Sequence, residues 1–204
     1  AANISHELRT PLARMRLASE LLEGESRHKA TIEHEIAVMD GLIGRILELS
    51  RLDLQSRPGS FREVDLAEVC RETAAAFTAL AAERGMELRL TLPAGMATLQ
   101  GDAESLSRGL SALLENSITH GSPGRPVDLR LSREATGGLR LELVNGYPGP
   151  APEDPVRLLE PFRKGAASSG SGLGLSIAER AFRIHRASIA IVAEDGLFTI
   201  DIRF

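Results

Sequence analysis

Val127-Asp128-Leu129-Arg130-Leu131 and Leu139-Arg140-Leu141-Glu142-Leu143-Val144, joined through Thr136-Gly137-Gly138, alternate apolar and polar side chains on both sides of a glycine turn. A period of two puts the apolar set on one face of each strand, so the two runs predict a hairpin with one face buried and one in water. The buried face needs helices, and the flanking sequence supplies them. Asp65 to Arg84 reads as an amphipathic helix stopped by Gly85, followed by the alternating strand Met86 to Leu92. A second helix runs from Ala103 to His120 and ends at Gly121. After the hairpin come a Pro- and Gly-rich loop from Asn145 to Pro155, a short helix, a small polar loop at 163–171, a helix from Leu175 to His185, and strands at 188–193 and 197–203. The expected fold is an α/β sandwich with its helices on one side. Four or five separated strands without regular βαβ alternation argue against a doubly wound sheet.

The first 57 residues follow a different rule. Ile32, Ile36, Met39, Ile43 and Ile46 recur at 4-3-4-3 spacing, a heptad seam broadened by Leu42 and Leu49. Leu8, Leu12, Met15 and Leu22 repeat that spacing, with Leu17 and Leu21 beside them, and the polar stretch Glu23-Gly24-Glu25-Ser26 separates the two patterns. The reading is a helical hairpin whose stripes are too wide for one partner helix, so two copies are expected to close a four-helix bundle, the alternative being a hairpin that caps its own second domain. Arg57-Pro58-Gly59-Ser60 is a breaker cluster. The chain is therefore read as α+β in two domains, a helical hairpin at 1–57 and a sandwich at 61–204.

Composition removes several classes of partner. Lysine and arginine number 24 against 28 acids, giving a net charge of -4 and no basic footprint for nucleic acid. With no tryptophan and 3% aromatic residues there is little to stack on single strands. The single cysteine, Cys70, has no internal disulfide partner and no second thiol to help hold zinc. No run approaches the roughly 18 consecutive apolar residues of a membrane span, and the N-terminus lacks signal-peptide order. The expectation is a reducing, cytoplasmic compartment.

The chemistry starts at Ile4-Ser5-His6-Glu7-Leu8-Arg9-Thr10-Pro11-Leu12. On a helix advancing about 100° per residue, His6 lies about 200° from both Ile4 and Leu8, away from the apolar seam. Thr10 falls one turn above it, Glu7 can accept a proton from its ring, and Pro11 bends the helix within a turn. A neutral imidazole with a pKa of about 6.5 is a competent nucleophile at cellular pH, and a neighbouring carboxylate enhances it. His6 is thus a candidate for covalent modification.

Gly170-Ser171-Gly172-Leu173-Gly174-Leu175 precedes a helix, offering backbone amides and a helix N-terminus to phosphate oxygens. No strand precedes it and no Lys-Ser or Lys-Thr pair follows, so neither the dinucleotide fingerprint nor the P-loop fits. In Leu113-Leu114-Glu115-Asn116-Ser117-Ile118-Thr119-His120, the oxygens of Glu115 and Asn116 suit Mg²⁺, though a solvated polar helix face reads equally well from the residues alone. Lys164, beside the small loop, could neutralise a phosphate or be an ordinary loop lysine.

In this order, these segments resemble a sensor histidine kinase of two-component signalling over essentially the whole chain. S-H-E-L-R-T-P-L at 5–12 is similar to the phosphoacceptor box of the dimerisation and phosphotransfer domain. L-L-E-N-S-I-T-H at 113–120 is similar to the asparagine box, E-P-F-R-K at 160–164 to the phenylalanine box, and G-S-G-L-G-L-S-I at 170–177 to the second glycine box of a Bergerat-type ATP-binding domain. The resemblance implies that His6 takes the γ-phosphoryl group of ATP with Glu7 as base, and that Thr10 positions water when the phosphorylated partner is hydrolysed. It implies that Asn116 holds Mg²⁺ with Glu115 beside it, that residues 163–171 form an ATP lid with Lys164 on phosphate, and that His120, Asn145, Gly149, Gly170, Gly172, Gly174 and Leu175 line the nucleotide. The implied partners are a second copy and a response-regulator receiver domain, with membrane attachment only through segments upstream of residue 1.

Four positions depart from the family pattern. Asn145 stands where an aspartate accepts from the adenine amino group, Tyr147 replaces a glycine, Ala112 replaces an asparagine, and Thr119 replaces a lysine. A lost charged contact costs about 1.5–3 kcal/mol, so nucleotide binding is expected to be weak. Two readings follow: an ATP-dependent protein-histidine kinase, or a degenerate kinase acting as a response-regulator phosphatase or scaffold. A related ATPase of the gyrase and heat-shock chaperone superfamily leaves the first 57 residues unexplained.

Overall fold

In a computed structural model of the chain, residues 12–15, 17, 30–32, 34–39, 41, 43–45, 61–150, 152–164 and 171–204 are described. The chain divides into two compact units, Ala1–Arg51 and Leu52–Phe204. His6, Glu7, Thr10, Pro11, Gly170 and the expected boundary at 57–60 lie outside the described residues, as do Leu8, Leu21, Leu22, Leu42, Ile46 and Leu49 of the expected seams.

The described residues between 12 and 45 are helical, as the heptad spacing predicts. Arg14 reaches across to Glu35, Nη1 to Oε1 at 3.2 Å, and Glu35 is buried. Several apolar side chains among the described residues of this unit are nevertheless uncovered. Leu12 and Leu17 are 52% and 60% exposed, and Ile36, Val38 and Ile43 are exposed too. Met15, Ile32 and Met39 are half-buried.

The second unit is built on a five-stranded mixed sheet of order β2-β4-β5-β7-β6. Its strands are β2 (Leu88–Thr91), β4 (Val127–Arg133), β5 (Leu139–Gly146), β6 (Ser188–Glu194) and β7 (Leu197–Arg203). The hairpin register pairs Leu129 with Leu143 and Leu131 with Leu141, and β2 runs parallel to β4. Val127, Leu129, Leu131, Leu139, Leu141, Leu143, Phe198, Ile200 and Ile202 point to one face and are buried. The other face carries a ladder of opposite charges: Arg140 Nε meets Asp201 Oδ1 at 2.6 Å and its Nη2 meets Glu142 at 2.8 Å.

Among the described residues, three helices bury apolar side chains in the same core: α1 (Leu66–Glu83), α2 (Ala103–His120) and α3 (Gly174–Ile184). Asp65 caps α1 by accepting from Ala67 N, and Asp102 caps α2 by accepting from Ser105 N. Helices α2 and α3 cross closely at Gly109, where an added Cβ would lie 2.9 Å from the Cβ of Ala181. The short helix is a 3₁₀ turn, Pro155–Leu159.

Two differences from the sequence expectation have physical causes. Arg62–Asp65 (β1) and Thr98–Gly101 (β3) pair antiparallel as a second small sheet. Neither shows the alternation of a half-buried strand; they are tied in place by Asp65 Oδ1, which accepts from Ala97 N at 2.9 Å as well as capping α1. The second concerns Asn145 and Gly146, expected to open a loop. They instead close β5, because β7 offers Phe198 and Leu197 as cross-strand partners.

At the far end of α3, His185 is buried and stacks on Phe61, ring centroids 5.0 Å apart. Its Nε2 accepts from the Asp102 amide at 2.9 Å and its Nδ1 lies 2.7 Å from the Ala181 carbonyl, which fixes the neutral tautomer with the proton on Nδ1. Burial lowers the His185 pKa, partly opposed by the Ala181 bond and the Asp102 charge.

Candidate functional site

The C-terminal half of α2 carries two faces. Leu113, Leu114, Ser117 and Ile118 are buried, which fixes the rotation of the helix. Ala112, Asn116 and Thr119 then fall on one stripe, since positions four and seven residues apart share a helix face. Glu115 and Asn116 are half-buried and Thr119 is exposed. His120 stands half-buried in the last turn, and burial lowers its pKa, favouring the neutral ring.

The end of β5 meets the end of this helix. Asn145 is 3% exposed, and its Nδ2 donates to the Gly146 carbonyl at 2.9 Å. That bond fixes which end of the carboxamide is which: the remaining atom, Oδ1, is a hydrogen-bond acceptor, buried and without a partner. A buried unpaired acceptor costs about 1–3 kcal/mol, which makes it a feature in need of a donor. The Nδ2 atom lies 3.4 Å from where a Cβ at Gly121 would sit, so the carboxamide touches the residue that terminates α2. Glycine is required there, because the same Cβ would sit 2.3 Å from the Ser117 carbonyl oxygen. This closeness brings Asn145 to the end of the helix that carries Glu115, Asn116 and His120. The sequence did not single out Gly121 beyond its helix stop.

Beyond β5, the Tyr147 amide donates to the Gly196 carbonyl at 2.8 Å, continuing the pairing with β7 by one residue. Its ring packs on Phe198, centroids 5.6 Å apart. Gly149 lies beside that ring, its hypothetical Cβ 3.5 Å from the phenol end.

The expected lid, residues 163–171, is bracketed by backbone. The Phe162 amide donates to the Gly172 carbonyl at 2.8 Å, bringing the two ends of the segment together. Gly172 has φ +70°, and a Cβ there would lie 2.6 Å from the Arg163 carbonyl oxygen and 2.8 Å from the Phe162 carbonyl carbon. Phe162 itself holds φ +64°. The close backbone approach gives Gly172 a reason to be glycine that spacing alone did not reveal: it closes the base of the loop. Lys164 is exposed at one edge of this segment, and the Ser171 Oγ at the other edge is buried without a hydrogen-bond partner. Gly174 and Leu175 open α3, whose N-terminus has no side-chain cap. Amides left uncapped at a helix start favour an anion.

Among the described residues, no group of three or more His, Cys, Asp or Glu side chains gathers to hold a metal. A cation at Glu115 and Asn116 would therefore complete its shell with water and ligand oxygens, which suits Mg²⁺.

Residues 1–55 match the family model of the His Kinase A (phospho-acceptor) domain, and residues 101–204 match that of the Histidine kinase-, DNA gyrase B-, and HSP90-like ATPase. The chain belongs to the sensor histidine kinases. Among curated relatives of this family, the sensor-like histidine kinase SenX3 of Mycobacterium tuberculosis is 28% identical across 96% of this chain and 50% of its own. Among solved kinases, Acinetobacter baumannii histidine kinase AdeS shares the fold with a TM-score of 0.75 at 20% identity, covering 98% of this chain and 96% of that one. Full-length ShkA, solved in complex with AMPPNP, has a TM-score of 0.72 at 26% identity over 99% of this chain and 44% of its own. The chain spans about half the length of the curated kinases it matches. Among the described residues, no helix is long and apolar enough to cross a membrane.

Proposed function

We propose that this chain is the cytoplasmic catalytic core of a sensor kinase that binds ATP with Mg²⁺, transfers the γ-phosphoryl group to His6, and passes it to an aspartate of a response-regulator receiver domain. The observation that carries the reading is the buried, unpaired Oδ1 of Asn145. Oriented by the Gly146 carbonyl, it is an acceptor waiting for a donor, and the exocyclic amino group of adenine is such a donor.

The other residues divide the remaining work. Asn116, with Glu115 beside it, would hold Mg²⁺, which when bound neutralises charge on the phosphates. The start of α3 at Gly174 and Leu175, with Gly170 and Lys164, would meet the phosphate oxygens. Neutral His120 would border the nucleotide without repelling a cation. The imidazole nitrogen of His6 attacks the γ-phosphorus as its bond to the bridging oxygen breaks and ADP leaves; the ring proton goes to Glu7. In the second step a receiver aspartate oxygen takes the phosphoryl group from the nitrogen, and the imidazole regains its proton. Thr10 would orient the water that later hydrolyses that acyl phosphate.

The exposed Leu12, Leu17, Ile36 and Ile43 support pairing of two hairpins, since a stripe of this width in water needs a second copy to cover it. The deciding experiment is incubation with labelled ATP and Mg²⁺. Acid-labile, base-stable phosphate is expected on the wild type and not on His6→Ala. An unlabelled wild type would refute the kinase reading and favour the degenerate scaffold.

A further inference from the structure

We propose that Tyr147 is a base-contacting residue of the nucleotide site, its ring lying against the purine at a position where the family pattern has a glycine. The proposal rests on the reading of the site as an ATP site and adds a contact that this reading does not contain.

Position along the strand carries the argument. Asn145 and Phe198 are directly opposed in the β5–β7 register, so their side chains share a face of the sheet. Tyr147 continues the same pairing through its bond to Gly196, and its ring touches Phe198 diagonally. The ring is therefore on the same face as the unpaired Asn145 oxygen, two residues along. Phe198 is buried while Tyr147 is only half-buried, so the ring covers the core with part of its surface and presents the rest. Phe198 packs on one side of the ring before any ligand arrives, and Gly149 lies beside its phenol end without a side chain to cover it. A preorganised aromatic surface next to an acceptor for the 6-amino group is the pairing that recognises a purine: the acceptor selects the edge and the ring takes the face. It would also replace part of what is lost when a charged carboxylate becomes the neutral Asn145.

The chain offers its own probe. Tyr147 is the sole tyrosine and there is no tryptophan, so protein emission reports on this position alone. The whole chain is titrated with ATP, GTP and base-free tripolyphosphate, each with Mg²⁺, by calorimetry and by tyrosine emission. The proposal expects ATP to quench the emission over the same concentration range in which heat is released, while tripolyphosphate leaves it unchanged. Base–aromatic contacts are worth enough that Tyr147→Ala should weaken ATP about tenfold, with tripolyphosphate unaffected. Tyr147→Phe should bind as the wild type does. Tyr147→Leu, which still covers Phe198 but has no ring, should be weakened like alanine, separating base contact from a purely structural role. Heat of ATP binding without quenching, or ATP affinity unchanged in the leucine variant, overturns the proposal and leaves the kinase reading standing. No heat with ATP at all overturns both.

Discussion

Replacing Gly172 with alanine tests how the base of the expected lid is built. At φ +70° an L-residue is strained by about 1–2 kcal/mol. The new Cβ would also sit 2.6 Å from the Arg163 carbonyl oxygen, 2.8 Å from the Phe162 carbonyl carbon and 3.0 Å from the Arg163 nitrogen. All three are backbone atoms, so no rotamer change relieves the clash; the strands of the loop must separate. Separation breaks the Phe162 to Gly172 hydrogen bond of 2.8 Å, worth about 1 kcal/mol net. The sum is about 2–3 kcal/mol. In a domain of this size it should lower the melting temperature by about 5–10 °C. Thermal melting followed by circular dichroism measures it, and calorimetry with ATP shows whether affinity falls with the loop opened. Gly172→Asn separates the two causes, because asparagine tolerates positive φ but carries the same Cβ. The contact argument expects asparagine to be nearly as damaging as alanine. An alanine variant that melts with the wild type refutes the whole account, and an asparagine variant restored to wild-type melting refutes the contact.

The buried His185 gives a pH dependence whose sign follows from its lowered pKa. The unfolded chain, with a pKa of about 6.5, binds the proton more readily, so this contribution to stability is complete above that pH and falls away as pH drops through the folded value. Melting temperature should therefore decline on acidification, and His185→Gln, which keeps an acceptor for the Asp102 amide, should flatten the decline without removing it, because His120 shifts in the same direction; equal slopes in the two proteins would sink the argument. Thr119→Lys restores a cation on the Asn116 face of α2 and should tighten ATP by about tenfold at low salt, less at high salt, in the same calorimetric titration. No gain at low salt would mean that this face does not look onto the phosphates.

The fold was legible wherever one face is buried and the other wet. In β4 and β5 the alternation from Val127 to Val144 settles strand, face and pairing at once, because a shift of one residue would turn Leu129, Leu141 and Leu143 into water. Helix α2 was readable for the same reason, with Gly121 marking its end. The pair β1 and β3 was not, since Arg62-Glu63-Val64-Asp65 buries little and is held by its antiparallel pairing with Thr98–Gly101 and by the bond from Ala97 N to the Asp65 carboxylate, a tertiary arrangement that no local pattern encodes. The site divides similarly. Asn116 could be placed on its helix face from spacing, but that the Asn145 carboxamide comes to rest against Gly121, with one oxygen left unpaired, depends on packing across residues far apart in sequence. Gly172 was singled out for phosphate, and its backbone role became visible only with Phe162 and Arg163 beside it.

The four departures from the family pattern fall into two physical groups. Ala112, which is buried, and Thr119, which is exposed, lie on the stripe of α2 that also carries Asn116, and each stands where the family pattern has a larger polar or charged group. Asn145 and Tyr147 lie together on one face of β5 and its extension, and here a charge is lost but a ring is added. On the proposed reading, the first pair would weaken the phosphate end of the site, and the second would exchange a charge-assisted bond at the base for a neutral acceptor and an aromatic surface. The backbone device at Phe162 and Gly172 is untouched by either change. Binding in this chain should accordingly draw more on the base and less on the phosphates. Its affinity for ATP should fall less steeply with added salt than that of Thr119→Lys, since screening acts on the charged contacts and leaves base stacking in place.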